Sequence, residues 1–225
     1  MKVKSFASIA LGFVCVISLD ATLGATNATP DFEMSFDGLY RRQSDVFSEL
    51  WVRKQFDVRA YHYVMMAPTF IEFRPMMHAQ GGSTAPSPLL PSKQQQDALR
   101  QTVNAAFREE LAKSKYFKLV DEPGADVLTV RGDLVDVVSY LTPNASPTDS
   151  ITVPVAGEAI LVIELYDSSS NAIMVRASSP VTAKREADGE TADQVVHATA
   201  TAWARIFRER LDNAASIPVA PSQHL

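Results

Sequence analysis

Cysteine is almost missing from this chain: Cys15 is the only one in 225 residues. One cysteine closes no intramolecular disulfide, so the fold has to rest on an ordinary apolar core. Basic charge is scarce as well. Lysine and arginine total 21 against 26 acidic side chains, a net charge of −5. A mildly acidic surface with no basic stripe argues against nucleic acid or anionic lipid as a partner. Past residue 19 no hydrophobic run approaches membrane-spanning length, so no membrane span is expected in the mature chain. The motifs of familiar chemistries are missing too. No serine stands in a G-x-S-x-G elbow, and neither H-E-x-x-H nor C-x-x-C occurs. No internal repeat is present.

What is there begins at the N-terminus. Lys2 and Lys4 precede a charge-free run over residues 5–19, and Gly24, Ala25 and Ala28 follow. A positive start, an apolar stretch and a small-residue exit make a secretory signal peptide, expected to be removed after Ala25 or, second, after Ala28. The run is shorter than the ~20 residues needed to span a bilayer as a helix, and Asp20 closes it. A lipid anchor on Cys15 is not expected, because bulky Val14 occupies the position where a lipobox needs glycine or alanine. Removing residues 1–25 takes out two lysines and one aspartate and leaves a chain without cysteine. The mature protein is expected in the periplasm or secreted, with outer-membrane association as a variant of that location.

The rest divides into an N-terminal arm over residues 26–58, a single α+β domain over 59–213, and a flexible tail over 214–225. In the arm, residues 44–56 read as a short helix or irregular segment. Residues 61–73 (YHYVMMAPTFIEF) are the first strong strand, interrupted at Pro68, which cannot donate to a ladder. Residues 74–91, with two glycines and several prolines, read as a long loop. Ser92 and Gln95 form a capping box that opens a helix to residue 115. Its stripe is Leu99, Val103, Ala106, Phe107 and Leu111. Strands follow over 117–120 and 126–139, the second with Gly132 as a bulge candidate. Two more, over 158–166 and 172–183, are joined as a β-hairpin by Asp167, Ser168, Ser169, Ser170 and Asn171. A second capping box, Thr191 with Gln194, opens a helix to residue 211, with Val196, Thr199, Trp203, Ile206 and Arg210 on one face and Phe207 and Leu211 widening it. The order predicts a two-layer α+β sandwich: a mixed, mostly antiparallel sheet of about five strands with two helices packed on one face.

Several stretches resemble a known family. They are Asp37-Gly38-Leu39, Phe73-Arg74-Pro75, the run Leu119-Val120-Asp121-Glu122-Pro123-Gly124-Ala125-Asp126-Val127-Leu128, and Ala156-Gly157-Glu158-Ala159. Leu161-Val162-Ile163-Glu164-Leu165-Tyr166-Asp167-Ser168 and Arg176-Ala177 complete the set. Together they are similar, over residues 37–207, to the bacterial domain-of-unknown-function 3313 family of envelope proteins, many of them expected to carry a lipid anchor. The resemblance implies fold and location, and it brings no catalytic residues. Two departures stand out: the lipobox is missing, and Ser178-Ser179-Pro180 stands where an aspartate and basic residues are expected.

Candidate chemistry is thin. Met65, Met66, Met76, Met77 and His78, with His62 and His224, are the residue types that bind Cu(I). Pleating sends adjacent Met65 and Met66 to opposite faces, which leaves only the 76–78 trio to converge, so no metal or cofactor is expected. His62 reads as half-buried between tyrosines and His197 as exposed, and neither has a nucleophile beside it. Glu158 and Glu164 share a strand face about 20 Å apart, too far for paired carboxylate catalysis. They read as solvated, and Arg131 and Arg176 are placed to pair with acidic neighbours across the sheet. The function expected is therefore a non-catalytic binding or assembly module contacting an envelope protein. The alternative is a small-ligand or metal carrier using residues 74–91, and a hydrolase with an unrecognised site comes last.

Overall fold

The structure, a computed structural model, describes residues 33–78, 87–141, 148, 150–151 and 155–217, with backbone alone for 76–78 and 87–89. The expected signal segment, Cys15, His224, most of the 142–150 loop and residues 218–225 of the tail lie outside the described residues. All of them that are described belong to one compact unit, Phe32–Leu225.

The sheet is larger than expected, with eight strands rather than about five. Two of the additional strands come from the segment read as an arm: β1 (Leu39–Arg42) and β2 (Glu49–Arg53). The short helix or irregular stretch expected over 44–56 is thus corrected to a strand. Its Val52 and Trp51 pair with Val175 and Arg176 far along the chain. The run over 61–73 divides where Pro68 predicts, into β3 (Tyr63–Met66) and β4 (Ile71–Phe73), both parallel to the same long strand. A 3-10 turn at Val58–Ala60 precedes them.

The 74–91 segment also departs from the expectation of a plain loop. Its ends form a ribbon, β5 (Met76–His78) against β6 (Ser87–Leu89). Helix α1 (Lys93–Leu111) begins at the Ser92–Gln95 capping box and buries Val103, Ala106, Phe107 and Leu111. Strand β7 (Lys118–Val120) then lies parallel to β3, so α1 is a crossover connection. Strands β8 (Val127–Ser139), β9 (Val155–Asp167) and β10 (Ile173–Lys184) form the antiparallel meander.

Helix α2 (Ala192–Ser216) starts at the Thr191–Gln194 capping box and runs five residues past the expected end. The strand order is β1-β2-β10-β9-β8-β3-β7, with β4 also on β8.

One face of the sheet meets the helices. Leu128, Val130, Leu161, Ile163 and Leu165 pack with Phe107, Leu111, Ala204 and Phe207 in a single cluster. The α2 face is corrected by this packing. The buried positions are Val195, Ala200, Ala204, Phe207 and Leu211, while Val196, Thr199, Trp203 and Ile206 are half-buried and Arg210 is exposed. Small alanines let α2 sit close against its neighbours, whereas the larger side chains flank that contact.

The bulge of β8 is not at Gly132. That residue pairs in register with Ile163, and the irregularity falls between Val135 and Val138, where Asp136 takes φ +58°. An aspartate tolerates this left-handed conformation better than the flanking valines would.

Candidate binding cavity

A cavity of about 140 Å³ opens between the helices and the sheet. Its walls come from the first half of α1, the first half of α2 and the ends of β8, β9 and β10, with Leu99, Val103, Phe107, Val137, Leu161 and Trp203 as the bulky members. The space exists because the intervening positions are small: Ala98, Ala156, Gly157, Ala159, Ala183 and Ala200. Gly157 is there for a definable reason. A Cβ on it would lie 2.7 Å from the Val138 carbonyl oxygen, so β8 and β9 approach each other closely only because this residue has no side chain.

Among the described lining residues the charged ones are two carboxylates, Glu158 and Asp193; Arg74, paired with Asp136, lies close enough to Glu158 to interact with its charge. Both carboxylates are held at the rim. Tyr140 donates its hydroxyl to Glu158 at 3.2 Å, and Thr102 donates to Asp193 at 2.9 Å, which also ties α1 to the first turn of α2. Asp193 there also suits the positive end of the helix dipole. Phe73 and Pro91, which bracket the 74–90 segment, line the cavity as well. Such a pocket is apolar inside and polar at its edge, a shape for holding an apolar group.

The opposite face of the sheet carries a row of paired side chains. Arg41, Trp51, Arg176, Glu164 and Arg131 are successive partners across β1, β2, β10, β9 and β8. Arg176 meets Glu164 at 2.7 Å and Asp37 at 2.8 Å, and the Arg41 guanidinium lies over the Trp51 ring at 5.9 Å. The cross-sheet pairing expected is present for Arg176, whereas Arg131 instead meets Asp133 of its own strand at 2.8 Å. Glu164, expected on a solvated face, is instead largely enclosed, because the turn at Asp37 folds over it. Burial, with the Glu164 carboxylate beside it, pushes the Tyr166 phenol up to about 12. Burial also raises the Asp37 carboxyl, but hydrogen bonds from Ser35 and the Arg176 charge outweigh it and hold the group below the ordinary range.

The hairpin serines act as expected. Ser169 and Ser170 donate to Asp167, and with Tyr61 they hold its carboxyl far below the usual range. At the other end of the helices, Arg208 reaches buried Glu110 at 3.3 Å and Asp212 at 3.7 Å, and Asp212 accepts from Ser114.

The histidines and methionines are placed apart. The His62 side chain is 70% exposed beside Asp126, not half-buried as expected, although its backbone bonds to Asp126 and Lys118 on both sides. His197 is exposed, and Met66 packs against the core. Met76, Met77 and His78 lie in β5 rather than in a loop. Among the described residues no three His, Cys, Asp or Glu side chains converge as a metal-ligand group. No helix among them is long and apolar enough to cross a membrane.

The fold and cavity together define an open, mixed α+β sandwich with an apolar pocket between its layers. The chain belongs to the family of proteins of unknown function DUF3313, which matches residues 30–206. No curated protein matches it. Solved structures resemble it at a distance. The hypothetical protein CT253 from Chlamydia trachomatis is 10% identical, with 68% of this chain and 97% of that chain covered and a TM-score of 0.39. Protein XCC0632 from Xanthomonas campestris is 12% identical, with 68% and 84% covered and a TM-score of 0.37. The PelC dodecamer from Paraburkholderia phytofirmans is 8% identical, with 63% and 88% covered and a TM-score of 0.31.

Proposed function

We propose that the protein is a non-catalytic binding or assembly module of the bacterial cell envelope, delivered to the periplasm or cell surface by removal of residues 1–25. The observation that carries this reading is the apolar cavity with its carboxylate rim. Its described lining is mostly apolar, with its two carboxylates at the edge engaged by Tyr140 and Thr102, which suits it to grip an apolar group. The N-terminal leader pattern and membership of DUF3313 agree with an envelope setting. Neither a metal nor a cofactor takes part in this reading. Crosslinking in intact cells, followed by recovery of the protein, tests it. A recurrent envelope protein in the adducts supports the assembly role, and turnover of a substrate by the purified protein overturns it.

A second reading has its own support. Phe73 and Pro91 place both ends of the 74–90 segment on the cavity wall, which suits a carrier of a small apolar ligand. Native mass spectrometry decides this one, since a carrier leaves the cell with a bound small molecule.

A further inference from the structure

Phe36 is 98% exposed, the most exposed large hydrophobic side chain among the described residues. It does not sit on a loose end. The Gly38 amide donates to the Ser35 carbonyl at 3.0 Å, and the Leu39 amide donates to the Ser35 hydroxyl at 3.0 Å. Gly38 takes φ +79°, the left-handed conformation that closes such a turn. Two arginines then bolt the turn to the sheet: Arg53 donates to the Asp37 carbonyl at 3.2 Å, and Arg176 pairs with the Asp37 carboxylate. Neighbouring Met34 is 61% exposed. The turn fixes the backbone and holds the ring in water, and an aromatic side chain has only two torsions to lose on binding, which is the property of an interface anchor.

The cavity between the helices and the sheet is the matching half. Its volume of about 140 Å³ is close to that of an apolar cavity of about 150 Å³ known to accept benzene, the ring of a phenylalanine. It suits a single ring rather than a drug-sized ligand, whose pockets run to about 300 Å³ and above.

We infer that Phe36 of one copy enters the cavity of a second copy of this chain. The inference rests on the reading of the protein as an assembly module and names its partner. Anchor and cavity lie on different parts of one molecule, so the contact is head-to-tail, and repetition gives a ring or an open chain rather than an isologous pair.

Sedimentation of the purified protein at its highest soluble concentration tests this. Wild type assembles beyond a dimer. Phe36→Ser, which lacks the anchor, sediments as a monomer, and so does Ala98→Phe, which fills the cavity. Val196→Phe fills it from the other helix in case Ala98→Phe fails to fold. Tyr116→Ser removes another exposed aromatic ring and leaves assembly intact. The decisive sample is an equimolar mixture of Phe36→Ser and Ala98→Phe. One has only the cavity and the other only the anchor, so they form one-to-one dimers and nothing larger. A monomeric wild type, an assembly that survives Phe36→Ser, or a mixture that stays monomeric overturns the inference. If wild type is monomeric and instead loses vesicle binding with Phe36→Ser, the ring serves a lipid surface. If it is monomeric but crosslinks to another envelope protein from the cavity mouth, the assembly reading stands and self-association does not.

Discussion

Arg176 holds Asp37 at 2.8 Å across the outer face of the sheet, joining residues 139 positions apart. The same guanidinium meets Glu164, so one cation serves two partly enclosed carboxylates. Replacing it by alanine strands both. Arg176→Ala is expected to cost about 1–3 kcal/mol, the range for leaving hydrogen-bonded polar groups unpaired, and to loosen the turn at Phe36. Urea unfolding gives the first quantity, and faster amide exchange at Leu39 reports the second.

Gly157→Ala tests the close approach of β8 and β9. The added methyl meets a backbone carbonyl at 2.7 Å, which cannot rotate away as a side chain can. A loss of about 1–3 kcal/mol is expected, as for other overpacked sites. An unchanged melting temperature would show that the two strands can part freely there.

Phe107→Ala tests the core. The ring is 3% exposed, packs on Phe207 at 6.3 Å between centroids, and forms part of the cavity floor. The expected loss is about 3–5 kcal/mol by denaturant unfolding. A smaller loss is expected from Leu99→Ala, which lines the cavity but is only half-buried.

Stability should fall at both ends of the pH scale, for opposite reasons. Asp167, Asp37 and Glu110 have carboxyls held below their ordinary values. Their contribution is complete above the unfolded carboxylate range near pH 4 and is lost as pH drops through the lower folded values. Tyr61 and Tyr166 are pushed up to about 12 by burial and a neighbouring carboxylate. Their contribution is complete below the unfolded phenol value near 10 and is lost as pH rises towards 12. Unfolding free energy measured against pH should therefore show a plateau between the two limbs. Asp167→Asn flattens the acid limb, and Tyr61→Phe together with Tyr166→Phe flattens the alkaline one.

What could be read from the sequence was what short-range chemistry decides. Ser92 with Gln95, and Thr191 with Gln194, start helices through contacts three residues long, and both boxes form. Pro68 breaks its strand because it lacks a donor, and the polar 167–171 stretch turns because Asp167 binds its own serines. Strand β2 was hidden for the opposite reason. Glu49-Leu50-Trp51-Val52-Arg53 becomes a strand only through β10, more than a hundred positions away. The α2 face is not legible in the sequence because side-chain bulk does not mark it: Ala200 and Ala204 fill the contact, while Trp203 is half-buried. The cavity is nearly invisible in the sequence, since it is a sum of small residues on four elements, and Gly157, inside the Ala-Gly-Glu-Ala motif, is the one signal that points to its wall.

In the proposed function a partner binds at the cavity between the helices and the sheet. A photo-crosslinking residue placed at Glu158, on the exposed rim of the cavity, and separately at Glu209, on the exposed side of α2, addresses this in intact cells. Irradiation should give a discrete protein adduct from position 158 and none from position 209. Adducts of equal yield from both positions, or none from position 158, would contradict it.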